Sequence, residues 1–148
     1  MTKWFGEFAY RYSGVTRPAV PWDEVPHAVQ SLQSAVEREV FGTSTGWFNG
    51  VLLNYSRSGD DKLGWHADDE QDILRDAPIA SVSFGAERRF ILKHTHTGVR
   101  RAITLAHGSL LVMAGTTQRF WKHCVPVERR IEQGRINLTF RMYSRGAA

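Results

Sequence analysis

Cysteine is nearly missing from this chain: Cys124 stands alone among 148 residues. A single thiol excludes an intrachain disulfide framework and favours a reducing intracellular compartment, cytoplasm or nucleus. Long apolar runs are missing too, and the opening Met1-Thr2-Lys3-Trp4 does not resemble a secretory leader, so membrane and secreted readings are poor. There is no internal repeat, linker or low-complexity segment. Acid is the scarcer charge. Fifteen Asp and Glu against nineteen Lys and Arg leave a net charge of +4, which modestly favours an anionic partner. The remainder is ordinary globular material: hydrophobic residues are 42% and charged ones 23%, so one domain over residues 1–148 with its own core is expected, working as a monomer.

Along the chain, Phe8-Ala9-Tyr10-Arg11-Tyr12 alternates as a strand does, which puts Tyr10 and Tyr12 on one face. Such a face could stack on a nucleobase, although packing against the body is the commoner role. Residues 13–22, with Gly14, Pro18 and Pro21, read as a loop. A helix follows, with Asp23, Glu24 and Pro26 at its start, Val25, Val29, Leu32 and Val36 at helical spacing, and Gly42 as its stop. The period then becomes strand-like. Expected strands are 47–56, 79–84, 89–93, 109–113 and 136–143, separated by turns around Gly59, Gly85 and 95–98. Many short strands with one early helix predict a mainly β fold with a flanking helix, a jelly roll or barrel.

Gly64-Trp65-His66-Ala67-Asp68-Asp69-Glu70 is the stretch that carries chemistry. In extended backbone His66 and Asp68 point to the same side and could grip one metal ion. A His-x-Asp pair alone is weak; His123, downstream, supplies a third candidate ligand. Two histidines and a carboxylate leave open positions on iron, as in non-haem Fe(II) oxygenases. His94 and His96 form a rival pair, but no carboxylate follows them closely and a Thr- and Gly-rich hairpin holds them. Near the end, Arg135, Asn137, Thr139 and Arg141 alternate with Ile136, Leu138, Phe140 and Met142. If the arginine face points inward, its charges need anions, and a dicarboxylate would supply one per guanidinium. The alternative is an outward, solvated face, the default for an alternating strand.

Taken together, these stretches resemble the AlkB-type Fe(II)- and 2-oxoglutarate-dependent nucleic-acid dioxygenases. The resemblance rests on Asn-Tyr-Ser-Arg-Ser-Gly from Asn54, Gly-Trp-His-Ala-Asp-Asp-Glu from Gly64, Pro-Ile-Ala-Ser-Val-Ser-Phe-Gly from Pro78, His-Gly-Ser-Leu-Leu-Val-Met from His107 and Arg-Ile-Asn-Leu-Thr-Phe-Arg from Arg135, with Trp4-Phe5-Gly6 and Tyr10-Arg11-Tyr12-Ser13-Gly14 extending it. It implies a double-stranded β-helix. It implies oxidative demethylation of N-alkylated bases, of the 1-methyladenine and 3-methylcytosine type, in DNA or RNA, using Fe(II), O2 and 2-oxoglutarate. By the same resemblance His66, Asp68 and His123 would hold the iron. Arg141 would meet the near carboxylate of 2-oxoglutarate and Arg135 the far one, with Asn54 and Asn137 adding hydrogen bonds. Tyr12 and the His66 ring would sandwich the base, with Tyr10 beside them and Glu70 on its exocyclic amine. The rival readings are an oxygenase acting on protein or on tRNA modifications, a catalytically weak nucleic-acid-binding module of the same fold, and a jelly-roll protein with a structural metal.

Two departures from the family pattern stand out. Where the family carries a tyrosine two places after the asparagine, this sequence has Ser56, with Tyr55 one place earlier and facing away. Members also carry more chain before Trp-Phe-Gly, where this sequence has three residues, so single-stranded substrates are expected to be preferred.

Overall fold

A computed structural model describes residues 1–12 and 14–144, Tyr12 by its backbone alone. Strand β1 (Thr2–Gly6) is followed by a small hairpin, β2 (Tyr10–Tyr12) and β3 (Val15–Arg17). Helix α1 (His27–Phe41) comes next, then β4 (Gly50–Ser56) and β5 (Leu63–His66). The rest alternates in short strands: β6 (Ile79–Gly85), β7 (Arg88–His94), β8 (Arg100–Leu105), β9 (Ser109–Met113), the one-turn α2 (Thr117–Phe120), β10 (Trp121–Val125) and β11 (Arg135–Arg141). No helix among the described residues is long and apolar enough to cross a membrane.

Two antiparallel sheets result, ordered β1-β4-β11-β6-β9 and β5-β10-β7-β8. This is the jelly roll that the resemblance implies. Alternation along the strands of the larger sheet gives it two different faces. Val51, Ala80, Val82, Leu138 and Phe140 point to one side and form a core with Val29 and Val36 of α1. Arg135, Asn137, Thr139 and Arg141 point to the other, toward the smaller sheet, and all four are buried. The outward, solvated alternative for this face is thereby excluded.

Helix α1 starts one residue past Pro26, whose missing N–H is no loss at a helix start, and whose carbonyl accepts from Val29 N–H at 2.8 Å. Asp23 and Glu24 belong instead to a separate 3-10 turn, Trp22–Glu24. The helix stops at Gly42, whose φ of 76° puts it in the left-handed region. Behind it, fully buried Glu37 accepts hydrogen bonds from Gln33 Nε2 and Phe48 N–H on one oxygen, and from Thr45 and Gly46 N–H on the other. This carboxylate folds the 44–48 loop onto the helix.

The strands also depart from the sequence reading. The first strand is β1, paired with β4 from Thr2↔Asn54 to Gly6↔Gly50, whereas the aromatic 8–12 stretch yields only β2. Strand β4 begins at Gly50 rather than at residue 47, and Trp4 packs so close there that a Cβ at position 50 would lie 2.5 Å from its ring. Strands β3, β8 and β10 lie outside the expected strand ranges, and β8 forms an exposed edge whose side chains lack the apolar alternation that signals a half-buried strand.

Candidate metal centre and cosubstrate cavity

His66 ends β5, and Asp68 follows in the loop beyond. His123 sits directly opposite His66 in the β5–β10 ladder. The antiparallel pairing therefore unites residues far apart in sequence. The Nε2 atoms of His66 and His123 lie 3.8 and 3.9 Å from the two oxygens of Asp68, and the rings meet edge-on, 4.2 Å apart. One ligand atom from each residue falls within 4.8 Å of the others, and among the described residues no other group of histidine, cysteine and acidic side chains does so. The rival pair His94 and His96 packs against Phe120 instead, with no carboxylate.

The local chemistry suits a metal. His66 Nδ1 is 2.7 Å from the Gly64 carbonyl, to which it donates, and this fixes the ring with Nε2 turned toward Asp68. His123 stacks on Phe90 at 5.0 Å, and burial pushes its pKa down to about 4, so the ring is neutral near pH 7. Asp68 is 4% exposed. Burial raises its pKa, but Arg141, His123 and His66 outweigh that and hold the carboxyl below its usual range. Two imidazoles and one ionised carboxylate converging on a point fit Fe(II).

The trio opens onto a cavity of about 360 Å³ between the sheets. Arg135, Asn137, Thr139 and Arg141 of β11 line its floor with Leu52, Asn54 and Ser56 of β4, while Phe90, Leu105 and Val125 close the opposite side. Arg17 and Lys62 add further positive charge. Arg141 donates through Nη2 to Asp68 Oδ1 at 2.6 Å, and its Nη1 lies 3.9 Å from Glu70. Burial lowers its pKa, yet the carboxylates of Asp68 and Glu70 and the two neighbouring tyrosines raise it above the usual value, so it is fully charged. Its Nε makes no hydrogen bond. Arg135 is more exposed to need. One Nη2 donates to Ser83 Oγ at 2.8 Å, Nε is buried without a partner, and burial together with the charge of Arg88 pushes its pKa down to about 10.

The remaining expected site residues divide. Asn54 lines the cavity, its Oδ1 accepting from Thr2 Oγ1. Asn137 lines it too, but its amide donates to Ser81 Oγ and Val82 O, and its Oδ1 accepts from Thr139. Its hydrogen bonds thus run along the sheet and hold β6 to β11. Tyr10 lines the cavity and is buried, one ring face stacked on Trp4 at 5.0 Å and Arg141 5.8 Å from its centroid. Burial pushes its phenol pKa up to about 12. Glu70 stands beside Arg141 without lining the cavity, and burial raises its carboxyl pKa against Arg141's pull. The role expected of Tyr12 falls on a side chain outside the described residues.

One residue of the site carried no sequence signal of its own. Gln118, on α2, accepts the Asp68 backbone N–H at 2.8 Å, which ties the ligand loop to the turn leading into β10 and His123. Arg119 of the same turn pairs with Asp76 farther along that loop. Gln118 precedes His123 in the chain with nothing in the sequence to mark it, and only the fold reveals its partner.

A family model described as the 2OG-Fe(II) oxygenase superfamily matches residues 2–141. The human alpha-ketoglutarate-dependent dioxygenase alkB homolog 3 is 39% identical over 151 residues, covering 95% of this chain and 50% of that protein. The bovine DNA oxidative demethylase ALKBH2 is 39% identical over 140 residues, covering 89% and 48%, and its Arabidopsis thaliana counterpart is 38% identical over 160 residues, covering 93% and 50%. The chain thus spans about half the length of the curated relatives it matches. With the match running through every strand that builds the cavity, this chain belongs to the 2OG-Fe(II) oxygenase superfamily and is of the AlkB type.

Proposed function

We propose that this chain oxidatively demethylates N-alkylated bases, of the 1-methyladenine and 3-methylcytosine type, in DNA or RNA. The observation that carries the reading is the meeting, in one cavity, of the His66-Asp68-His123 trio with two buried arginines that keep unpartnered N–H groups. Bound iron with 2-oxoglutarate and O2 would supply the oxidation of the N-methyl group, 2-oxoglutarate leaving as succinate and CO2, and the hydroxymethyl product would shed formaldehyde to restore the base. The chain's own part is to bind, orient and exclude water.

His66, Asp68 and His123 would hold the metal. Arg135 offers Nε to the far carboxylate of 2-oxoglutarate, and an anion there would relieve the burial that now depresses its pKa. Arg141 offers Nε to the near carboxylate while Nη2 keeps Asp68 ionised and oriented. Asn137 acts one step back, fixing Ser81 and Ser83 beneath the arginines. The apolar wall of Phe90, Leu105 and Val125 keeps water from the reacting methyl group. Tyr10, Tyr12, the His66 ring and Glu70 are the base-holding group, with Glu70 on the exocyclic amine.

The substrate base must leave its stack to enter the cavity, which costs a few kcal/mol in a duplex. A single strand is the preferred substrate on this reading. The chain acts as a monomer in a reducing nuclear or cytoplasmic setting, consistent with the buried free thiol of Cys124. Mass spectrometry on a methylated oligonucleotide panel with Fe(II), 2-oxoglutarate and ascorbate tests the proposal. The expected result is loss of a methyl group matched by formaldehyde and succinate. Succinate formation without any demethylated base would point to another substrate class.

A further inference from the structure

The outer face of the smaller sheet carries a feature that the cavity does not explain. Lys122 on β10 is in register with Lys93 on β7, and Lys93 with Arg100 on β8. Three exposed cations thus form one rung across three adjacent strands. Like charges set directly opposite one another destabilise a sheet, and among the described residues no ion pair involves any of the three. Beside the rung, Trp65 on β5 keeps 43% of its surface exposed, with the Arg100 guanidinium 5.6 Å from its ring centroid. Trp65, Lys93, Thr95 and Lys122 line one open concavity.

We propose that this rung and Trp65 form a docking surface for a single nucleic-acid strand, gripping the stretch that flanks the base held in the cavity. The inference rests on the nucleic-acid reading of the site given above. The topology supports it. Strand β5 is the edge of its sheet, with His66 facing the cavity and Trp65 lining the outer concavity. Lys122 and His123 divide β10 in the same way. A strand leaving the cavity therefore rounds the β5 edge at Trp65 and meets the rung. Phosphates answer the three cations, and an exposed indole gives a base a face to stack on. An acidic peptide would answer the charges but leave the indole unused.

The test is a Lys93→Gln, Arg100→Gln, Lys122→Gln triple variant of the full chain. Its binding to a single-stranded DNA of roughly 20 nucleotides is followed by fluorescence anisotropy across a salt series, alongside a thermal melt. Each phosphate contact on a single strand contributes about 0.7 to the slope of log K against log salt, so the slope should become shallower by about 2. Affinity at low salt should fall at least about tenfold. Tm should stay level or rise, because the repulsion along the rung is gone. Wild-type affinity and slope in the triple variant would overturn the proposal. If the triple variant melts early, Lys93→Gln alone should still lower the slope by about 0.7, and an unchanged slope there overturns it equally. Poly-glutamate bound as tightly as DNA by the wild type would mark an acidic protein partner and overturn the nucleic-acid assignment. The two readings fail differently. A wild type that binds the strand through the rung but demethylates nothing sinks the proposed reaction and leaves the surface standing. An active wild type with an indifferent triple variant does the reverse.

Discussion

Arg88 and Arg135 are buried to similar depth, at 1% and 6% exposure, yet their surroundings treat them differently. Arg88 on β7 donates to Glu128 through Nε, to Ser58 O through Nη1, and to Asp61 O and Pro126 O through Nη2. Glu128 in turn accepts from Arg89 N–H and Nε. Every nitrogen of that guanidinium points at an acceptor fixed by the fold, so the charge joins the 57–62 and 126–134 loops to β7. Arg135 has one serine hydroxyl, an idle Nε and a depressed pKa. A buried charge with its full set of partners serves the structure, whereas one with partners missing points to a ligand that brings them. Glu37 belongs with Arg88 in this respect, and the cavity arginines stand apart from both.

The largest expected effect strikes the centre of the cavity. Asp68→Ala removes one of three ligands and leaves Arg141 without its 2.6 Å partner. Formaldehyde release should fall to background while circular dichroism stays native; turnover near the wild-type rate would remove Asp68 from the metal site. Next comes Arg88→Met, which takes one donor from Glu128 and removes the side-chain donor of the Ser58, Gly59, Asp61 and Pro126 carbonyls. Unfolding in urea should show a loss of roughly 3–5 kcal/mol, with any drop in turnover explained by the unfolded fraction. A selective rise in the 2-oxoglutarate requirement would instead make Arg88 part of the site and dissolve the contrast.

Arg135→Met should move stability and binding in opposite directions. Burial depresses the folded pKa from 12.5 to about 10, so the charged form is disfavoured in the fold at every pH below about 10. Removing it should raise stability by about 1–3 kcal/mol at pH 7, a gain that shrinks as pH climbs through 10 and the wild-type group discharges. The affinity for 2-oxoglutarate should fall by roughly 2–5 kcal/mol. Lost stability with unchanged affinity would place Arg135 with Arg88. The smallest effect belongs to Ser56→Tyr. Ser56 pairs with Arg135 in the β4–β11 register and lines the cavity. A phenol there should strengthen 2-oxoglutarate binding by about 1.5–3 kcal/mol, read as a lower KM; a higher KM would show that the cavity has packed around serine.

The difference between the two arginines also explains what the sequence could and could not convey. Alternation along β11 placed Arg135, Asn137, Thr139 and Arg141 on one face, but not which side of the sheet that face looks toward. Both faces are buried, one by α1 and one by the smaller sheet, and only the packing decides between them. His66 was legible from the His-x-Asp spacing, although Asp68 lies in the loop just past β5 rather than on it, and β10 then brings His123 opposite His66. Arg88 and Glu37 were silent because most of their partners are backbone groups, brought near by turns rather than by any residue pattern. Gln118 was silent for the same reason: it serves Asp68 through a main-chain N–H. The outward direction of Tyr55 and the inward one of Ser56 followed from period two alone, and the register with Ile136 and Arg135 agrees.

The Asp68–Arg141 contact bears on how the protein withstands loss of its iron. In a site built from carboxylate and imidazole alone, withdrawing the ion leaves a buried negative charge that pushes its neighbours apart. Here Arg141 already balances that charge, and the Gly64 carbonyl and the Phe90 ring hold the two imidazoles in place. Chelation should therefore be an interruption rather than an injury: the emptied protein keeps its shape through a spell of metal shortage and resumes work on resupply, with no refolding between. A zinc finger, whose fold is its metal site, has no such reserve.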